Sequence, residues 1–181
     1  MKNPNSLEGV PFGKRLYVGG DLGLSFGNYT VINVAPIVGY KLNRKWSTGV
    51  GVKYIYYREN FPSLGWDYST SMYGGSVFTK YLLNSIILHA ELETLNAEVR
   101  EYLSIDVTRK WIPMGFVGVG YRQGLGGTYL QLMALYDVID NRHSPYRSQY
   151  IFGPQLPIII RGGIVIGLGG QWPSTTSNRL D

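Results

Sequence analysis

The segment His89-Ala90-Glu91-Leu92-Glu93 carries three polar side chains at alternate positions. Alternate side chains of a β-strand point to the same face, so the imidazole and the two carboxylates would lie side by side. Such a group could bind a metal ion or supply a general acid and a general base. It could equally form ion pairs with lysine or arginine side chains of neighbouring strands, and we favour this second interpretation.

A second pair that could do chemistry, His143-Ser144, lies in a polar stretch. A hydrolase would also need a placed acid and an oxyanion hole, and the sequence offers no motif for either. The glycine-rich run VGVGYRQGLGG lacks the Gly-Lys-Ser/Thr ending of a phosphate-binding loop, and without cysteine the chain has no thiolate nucleophile or thiolate metal ligand. We therefore predict no catalytic residue, no metal site and no cofactor.

The composition indicates a single domain rich in β-structure. Of 181 residues, 24 are glycine, 14% are aromatic and only 16% are charged, against about 25% charged in ordinary soluble domains. The net charge of +5 is spread along the chain and does not form a basic patch, so we predict no nucleic-acid partner. No apolar run approaches the roughly 18 residues that a membrane helix needs.

Alternating apolar and polar residues predict the elements that must position the polar groups. Eight strands result, and each is close in length to the roughly 9–11 residues that span a bilayer when tilted. No convincing helix separates them. The predicted strands are 16–26, 29–42, 46–57, 69–81, 86–97, 111–122, 128–138 and 156–168.

The predicted connections alternate in length. Those after the second, fourth and sixth strands are short, whereas those after the third, fifth and seventh are long and polar; only Gly27-Asn28 interrupts this rhythm. Short turns at one end and long loops at the other are typical of outer-membrane barrels. Pro36 and Pro113 interrupt two strands, and we expect a local bulge at each, because a closed barrel has no free edge to accommodate a missing N–H.

Each strand has one uncharged, mainly apolar face and one face with ionisable residues. An eight-stranded barrel is only just wide enough to be filled by side chains, so the many Tyr, Trp, Ile and Leu residues would overcrowd its interior. We therefore expect the apolar face to point outward to lipid and the other to point into the lumen, with Lys41 among its residues. The predicted lumen ion-pair network comprises Asp21, Lys53, Lys80, His89, Glu91, Glu93, Arg122, Asp137 and Arg161.

Aromatic residues on the apolar face fall near both strand ends. Outer-membrane barrels carry aromatic girdles at both membrane interfaces, although aromatic residues are common in strands of any kind. The predicted girdle near the short turns comprises Tyr40, Trp46, Tyr81 and Tyr121. The one toward the long loops comprises Tyr54, Tyr56, Tyr73, Trp111 and Tyr136.

The run LYVGGDLGLSFGNYTVINVAPIVGYKLNRKWSTGVGVKYIYYRE, with YSTSMYGGSVFTKYLL, ILHAELETLNAE and VGVGYRQGLGG, resembles the small outer-membrane β-barrel family common in Bacteroidota and, more distantly, OmpA- and OmpX-type barrels. The resemblance covers most of residues 16–168. It implies export with a signal peptide, location in the bacterial outer membrane and no catalytic set. One departure is the tail GGQWPSTTSNRLD after Leu168, because such barrels generally end on an aromatic residue.

The predicted fold class is therefore all-β, an eight-stranded antiparallel up-and-down transmembrane β-barrel with a polar, side-chain-filled lumen. Residues 1–15, which lack the apolar core of a signal peptide, and 169–181 would be periplasmic segments, the signal having been removed. We expect a non-enzymatic structural or adhesive protein, or an accessory subunit of a larger outer-membrane complex. Its partners would be outer-membrane lipid and another outer-membrane or periplasmic protein bound through residues 58–68, 98–110, 140–150 or the C-terminal tail. The alternatives are a lipid-modifying outer-membrane enzyme and a soluble lipocalin-like carrier with an apolar lumen.

Overall fold

The computed structural model describes residues 5–25, 29–61, 65–100, 107–125, 127–147, 151–152 and 156–168. A single turn of helix, α1 (Phe12–Arg15), precedes eight strands. The described part of the chain contains no helix long and apolar enough to cross a membrane. The strands are β1 (Leu16–Ser25), β2 (Tyr29–Lys41), β3 (Trp46–Phe61), β4 (Trp66–Leu83), β5 (Ile86–Arg100), β6 (Val107–Leu125), β7 (Thr128–Asp137) and β8 (Ile158–Gly167).

Each strand pairs antiparallel with the next, and β8 pairs with β1, so the sheet closes into an up-and-down barrel. The closing seam extends from the pair Tyr17–Gly167 to the pair Gly20–Ile164. Closure removes the free edges that an open sheet would expose. The predicted fold, an eight-stranded antiparallel up-and-down barrel, is confirmed.

The two ends of the barrel differ. The connections at residues 42–45, 84–85 and 126–127 define what we call the turn end. At the opposite, hairpin end, β3 and β4 stay paired as far as Phe61–Trp66, and β5 and β6 as far as Arg100–Val107. Most described residues of 58–68 and 98–110 therefore lie in strands, and the prediction of long loops there was wrong. The alternation of apolar residues stops where the apolar outer face ends. Backbone hydrogen bonds continue beyond that point because they do not depend on an apolar face.

The connection between β7 and β8 is long, as predicted, and is described through residue 147 and at residues 151–152 and 156–157. Several predicted features lie outside the described residues. They are Phe26, the turn at Gly27-Asn28, residues 62–64, 101–106 and 148–150, and the tail 169–181.

Neither proline introduces a bulge, so that expectation was wrong. Pro36 pairs with Gly20 in an uninterrupted β1–β2 register, and the β2–β3 register skips the proline position and resumes without an offset. Pro113 lies beyond the end of β7 at Asp137, and its carbonyl accepts a weak 3.5 Å hydrogen bond from the Asn141 side chain. The missing N–H of Pro113 points to the same side of β6 as this carbonyl. No residue of β7 lies opposite to pair with it, so its absence costs no strand hydrogen bond.

The two faces of the sheet point as the sequence predicted. Leu22 is 68% exposed on the outside, whereas the neighbouring Asp21 faces the lumen with a side chain 16% exposed. Val52 and Leu92 are each 62% exposed on the outside, and the inward Lys53 and Glu93 beside them are buried. The apolar lumen of a lipocalin-like carrier therefore does not fit this chain.

The lumen is polar only in part. Between the central charged residues and the hairpin end, inward side chains form an apolar cluster that includes Leu95, Met114, Leu135 and Ile159. The β7–β8 connection covers this cluster with Tyr146, which is 3% exposed. The polar, side-chain-filled lumen that the sequence predicts is therefore accompanied by an apolar section at the hairpin end. Apolar side chains can lie there because the connecting segment covers them, so that they pack against protein on all sides.

Glycine makes room for large side chains in the narrow lumen. A Cβ atom at Gly39 would lie 2.0 Å from the ring of Tyr17, its cross-strand partner. A Cβ atom at Gly163 would lie 2.1 Å from a carboxylate oxygen of Asp21. Both distances are far shorter than van der Waals contact, so the positions of this tyrosine and this carboxylate depend on glycine opposite them.

The segment before β1 packs against the turn end. The Arg15 guanidinium donates hydrogen bonds to the carbonyl oxygens of Leu7 at 2.5 Å and Val10 at 3.0 Å, and to the Tyr40 hydroxyl at 3.3 Å. The ring of Phe12 stacks on Tyr40 with the ring centroids 5.0 Å apart. These contacts fix residues 7–15 beside β2.

Candidate functional site in the lumen and on the outer surface

Ionisable side chains from four strands meet in the middle of the barrel. Alternation along β1, β3, β5 and β8 points these side chains inward, and the register between the strands brings them to a similar depth. We call the resulting group the charged layer, which comprises Asp21, Lys53, Glu91, Glu93 and Arg161.

Glu93 accepts contacts from both sides of the lumen. The Lys53 ammonium donates to Glu93 Oε2 at 2.6 Å and to the Tyr146 hydroxyl oxygen at 2.6 Å. The Tyr146 hydroxyl donates in turn to Glu93 Oε1 at 2.5 Å. The three groups therefore form a closed ring of hydrogen bonds that fixes the β7–β8 connection to β3 and β5.

Arg161 links the carboxylates. Its Nη1 donates to Glu91 Oε2 at 2.5 Å, its Nη2 lies 3.5 Å from Glu93 Oε2, and its Nε lies 3.8 Å from Asp21 Oδ2. The guanidinium also packs over the ring of Phe116, 5.3 Å from its centroid. Since a guanidinium presents several donors in one plane, a single arginine can serve three carboxylates.

His89 and Lys80 lie next to the charged layer on the turn side. His89 Nε2 is 3.1 Å from Glu91 Oε2, and its ring stacks on Phe78 at 5.9 Å between centroids. Lys80 donates to the side-chain oxygen of Gln131 at 3.1 Å. Within the described part of the chain, no carboxylate oxygen lies within 4.0 Å of the Lys80 ammonium.

Two residues of the predicted network lie elsewhere. Arg122 is at the turn end, where its guanidinium packs 4.7 Å from the ring centroid of Tyr129. Asp137 is at the opposite end and accepts hydrogen bonds from the backbone N–H groups of Ile139 and Asp140. Asp137 thus caps the start of the β7–β8 connection. The alternation of β7 predicts only that its side chain points inward, and not this capping role.

Tyr146 was absent from the predicted network. It lies in an irregular segment, where no periodicity indicates which side chain turns inward. Burial, followed by the charge of Glu93, raises the pKa of the Tyr146 hydroxyl well above its ordinary value. The hydroxyl therefore keeps its proton and remains a donor to Glu93.

The geometry gives no support for catalysis at either sequence candidate. His89, Glu91 and Glu93 are buried and turned toward Arg161, Lys53 and each other. No group of three potential ligands within the described ranges could hold a metal ion. The Ser144 hydroxyl faces the Met114 sulfur at 3.4 Å, and His143 instead accepts a hydrogen bond from Arg142.

On the outer surface, aromatic side chains form a lower belt near the turn end, defined as Tyr40, Trp46, Tyr81 and Tyr121. Trp46 and Tyr81 make an edge-to-face pair with centroids 5.9 Å apart, and the indole N–H donates to Thr79 at 2.6 Å. Tyr121 is 57% exposed. These are side chains with an apolar ring and a polar tip at the rim of an apolar surface.

An upper belt, defined as Tyr54, Tyr73, Trp111 and Tyr136, surrounds the opposite side. Tyr73 and Trp111 pair edge to face at 6.1 Å, and the Arg109 guanidinium lies 5.5 Å from the Tyr73 ring centroid. Beyond this belt the outer surface becomes charged, with the Arg58–Asp67 ion pair at 2.7 Å. Between the two belts, no described outward-facing side chain is ionisable.

Comparison with known proteins finds similarity in structure but not in sequence. No protein-family model matches the chain, and no curated protein matches its sequence. The crystal structure of the N-terminal β-barrel domain of Pseudomonas aeruginosa OprF is similar at 8% sequence identity with a TM-score of 0.41, over 84% of this chain and 97% of that one. The barrel assignment rests on the strand pairing of this chain itself.

Proposed function

We propose that this chain is an integral protein of the bacterial outer membrane without catalytic activity. Its role would be structural or adhesive, either alone or as an accessory subunit of a larger outer-membrane complex. The observation that supports this proposal is the uncharged outer surface between the lower and upper belts. A surface this apolar is unfavourable in water, because soluble monomers rarely expose contiguous apolar patches above a few hundred Å².

The height of this surface fits a membrane. On β3, Trp46 and Tyr54 delimit the band, eight residues apart. At about 3.3 Å per residue this corresponds to about 26 Å along the strand, and a tilt of about 40° reduces it to about 20 Å along the barrel axis. Aromatic rings at both limits extend the band toward the roughly 25 Å of known outer-membrane barrels.

The filled lumen supports a role other than transport. Lys53, Glu93 and Arg161 occupy the middle of the barrel, and the apolar cluster beneath Tyr146 occupies its hairpin end. An eight-stranded barrel whose interior is packed with side chains has no continuous aqueous path. We expect reconstituted protein to show no steady single-channel conductance in planar bilayers.

The hairpins beyond the upper belt are the surface that we propose for a protein partner. They carry exposed charges of both signs, including Arg58 and Asp67 on β3–β4 and Arg109 on β6. Cross-linking in intact outer membranes should therefore give products at these hairpins if the chain is an accessory subunit. Products restricted to the turn end would contradict this assignment of the partner surface.

Solubility is the direct test of membrane residence. The purified chain should stay monodisperse only in detergent or lipid, and its folded form should migrate differently from the heated form in gel electrophoresis. Refolded into vesicles, it should remain with them through alkaline carbonate extraction. A chain that is monodisperse in detergent-free buffer would refute the proposal, and hydrolysis or acyl transfer on phospholipid would favour an enzyme instead.

A further inference from the structure

A cavity opens at the turn end of the lumen, away from the charged layer. It leaves about 50 Å³ of space for the centres of water-sized molecules, several times the roughly 10–15 Å³ that one water needs. Its lining includes Lys41, Lys80 and Arg122. Arg44 and Lys45, in the connection between β2 and β3, stand at its rim. None of its described lining residues is Asp or Glu.

The three inner cations come from different parts of the sheet. Lys41 is on β2, Lys80 on β4 and Arg122 on β6, so closure of the barrel is what brings them to one opening. Lys41 and Arg122 are close enough for their charges to repel each other. An anion placed between the two groups would be attracted to both of them, and this attraction would offset their mutual repulsion.

The floor of the cavity is the buried ammonium of Lys80, which is 9% exposed. Its described hydrogen-bond partner is the neutral amide oxygen of Gln131 at 3.1 Å, and Asp21 and Glu91 face it from the charged layer without forming an ion pair. A lysine ammonium has three donors. It can therefore keep its contact with Gln131 and still donate to a ligand in the cavity.

The walls would hold an anion in a defined position. Tyr129 packs against Arg122 with 4.7 Å between guanidinium and ring centroid, which restricts the arginine. Tyr17 is held over Gly39 on the facing wall, and its hydroxyl donates to Ser47 at 3.2 Å. A guanidinium can bind phosphate through two parallel hydrogen bonds, and an ammonium binds it as a point charge.

We propose that this cavity is a binding site for a phosphate group, with Lys80 as its floor and Lys41 and Arg122 as its walls. The phosphate could belong to a free phosphorylated small molecule or to a lipid headgroup. Trp46, which belongs to the lower belt, also lines the opening, so under the proposed membrane placement a headgroup could enter from the side. The site itself does not depend on membrane placement.

The test uses the full chain in a nonionic detergent without phosphate, at neutral pH and about 0.15 M salt. Inorganic phosphate is titrated and binding is followed by equilibrium dialysis. In separate samples, a short-chain phosphatidylglycerol is compared with a phosphate-free glycolipid of equal chain length. We expect saturable binding at one site per chain.

Lys80→Gln and Arg122→Gln should each weaken binding about 10- to 100-fold, because each removes a charge-assisted hydrogen bond. Lys41→Gln, at a less buried position, provides the same test should the other two variants not fold, as judged by heat-dependent gel mobility. The matched control is Lys14→Gln, which removes an exposed charge at the same end without lining the cavity.

Each outcome decides between the sources or against the site. Binding of inorganic phosphate that the cavity variants lose and Lys14→Gln keeps supports a free phosphorylated ligand. The same variant dependence for phosphatidylglycerol alone supports a headgroup. Absence of saturable binding in both arms, or equal weakening by Lys14→Gln, overturns the proposal.

Discussion

Placing a charge in the middle of the outer band tests the membrane placement most directly. Val77 on β4 is 54% exposed, and its side chain points outward and not into the lumen. It pairs with Val50 on β3, another outward residue of the band. In Val77→Arg the new side chain would meet whatever medium surrounds the barrel, with little effect on interior packing.

The expected magnitude follows from the depth of this position. Val77 is four residues from Tyr73 and four from Tyr81, which belong to the upper and lower belts. This corresponds to about 13 Å along the strand and, at about 40° of tilt, about 10 Å from either interface. An arginine near the midplane of an outer-membrane barrel costs about 2–4 kcal/mol, whereas an arginine on a water-exposed strand surface changes stability by about 0.5 kcal/mol or less.

The assay is reversible guanidinium unfolding of the chain refolded into phosphatidylcholine vesicles, followed by tryptophan fluorescence. Val77→Arg should lower the free energy of unfolding by about 2–4 kcal/mol. Ile86→Arg, at the turn end of β5 and 51% exposed, is the matched control and should lower it by about 0–1 kcal/mol. Equal small effects at both positions would show that the band faces water, and the membrane proposal would then be withdrawn.

Three further changes test the lumen. Glu91→Ala leaves the buried Arg161 guanidinium without its 2.5 Å partner. We therefore expect the free energy of unfolding to fall by about 3–5 kcal/mol and the folded form to convert to the heated form at a lower temperature on gels. Unchanged heat resistance would argue against the network. Tyr146→Phe removes the hydroxyl that donates to Glu93 at 2.5 Å, which should cost about 1–3 kcal/mol and speed proteolysis of the β7–β8 connection. Because burial raises the pKa of Tyr146 above its ordinary 10.0, its contribution is complete below about pH 10 and is lost as pH rises toward the raised pKa. The wild type should therefore lose more stability than Tyr146→Phe between pH 9 and 11 in the same unfolding assay. Gly39→Val places atoms inside the Tyr17 ring and should prevent efficient refolding, measured as the folded fraction on unheated gels.

Each of these changes has a control on the outer surface. Asp67→Ala breaks an exposed ion pair and should leave heat resistance unchanged, because exposed pairs contribute little. Tyr136→Phe removes a hydroxyl outside the lumen and should not alter proteolysis of the connection. Gly162→Val adds a side chain where a Cβ meets only a leucine methyl at 3.9 Å, so refolding should proceed. Effects on these controls as large as on the lumen variants would refute the assignment of the effects to the lumen.

The faces of the strands could be predicted from sequence, because a pleated strand forces neighbours such as Asp21 and Leu22 to opposite sides. The ends of the strands could not. Around Arg58 and Arg109 the apolar alternation stops, yet backbone pairing continues, since ladder hydrogen bonds do not depend on side-chain polarity. The sequence pattern therefore predicts strand ends where the apolar outer surface ends.

The charged layer was only partly predictable for a related reason. Alternation shows that Lys53 and Glu93 point inward, but depth along the barrel decides which charges meet, and depth depends on the register between strands. Arg122 and Asp137 also point inward, at opposite ends. Tyr146 completes the layer from an irregular segment, so its role required the tertiary structure.

The placement of Arg161 on the last strand has a consequence for the order of folding. Glu91 and Glu93 enter with β5 and Asp21 with β1, whereas the guanidinium that contacts all three arrives only with β8. Until β8 joins both β7 and β1, these carboxylates lack their shared counter-charge, so partly assembled sheets carry an electrostatic penalty that the closed barrel does not. Closure of the seam and the arrival of Arg161 beside these carboxylates are therefore coupled, which favours an all-or-none transition over a stepwise one.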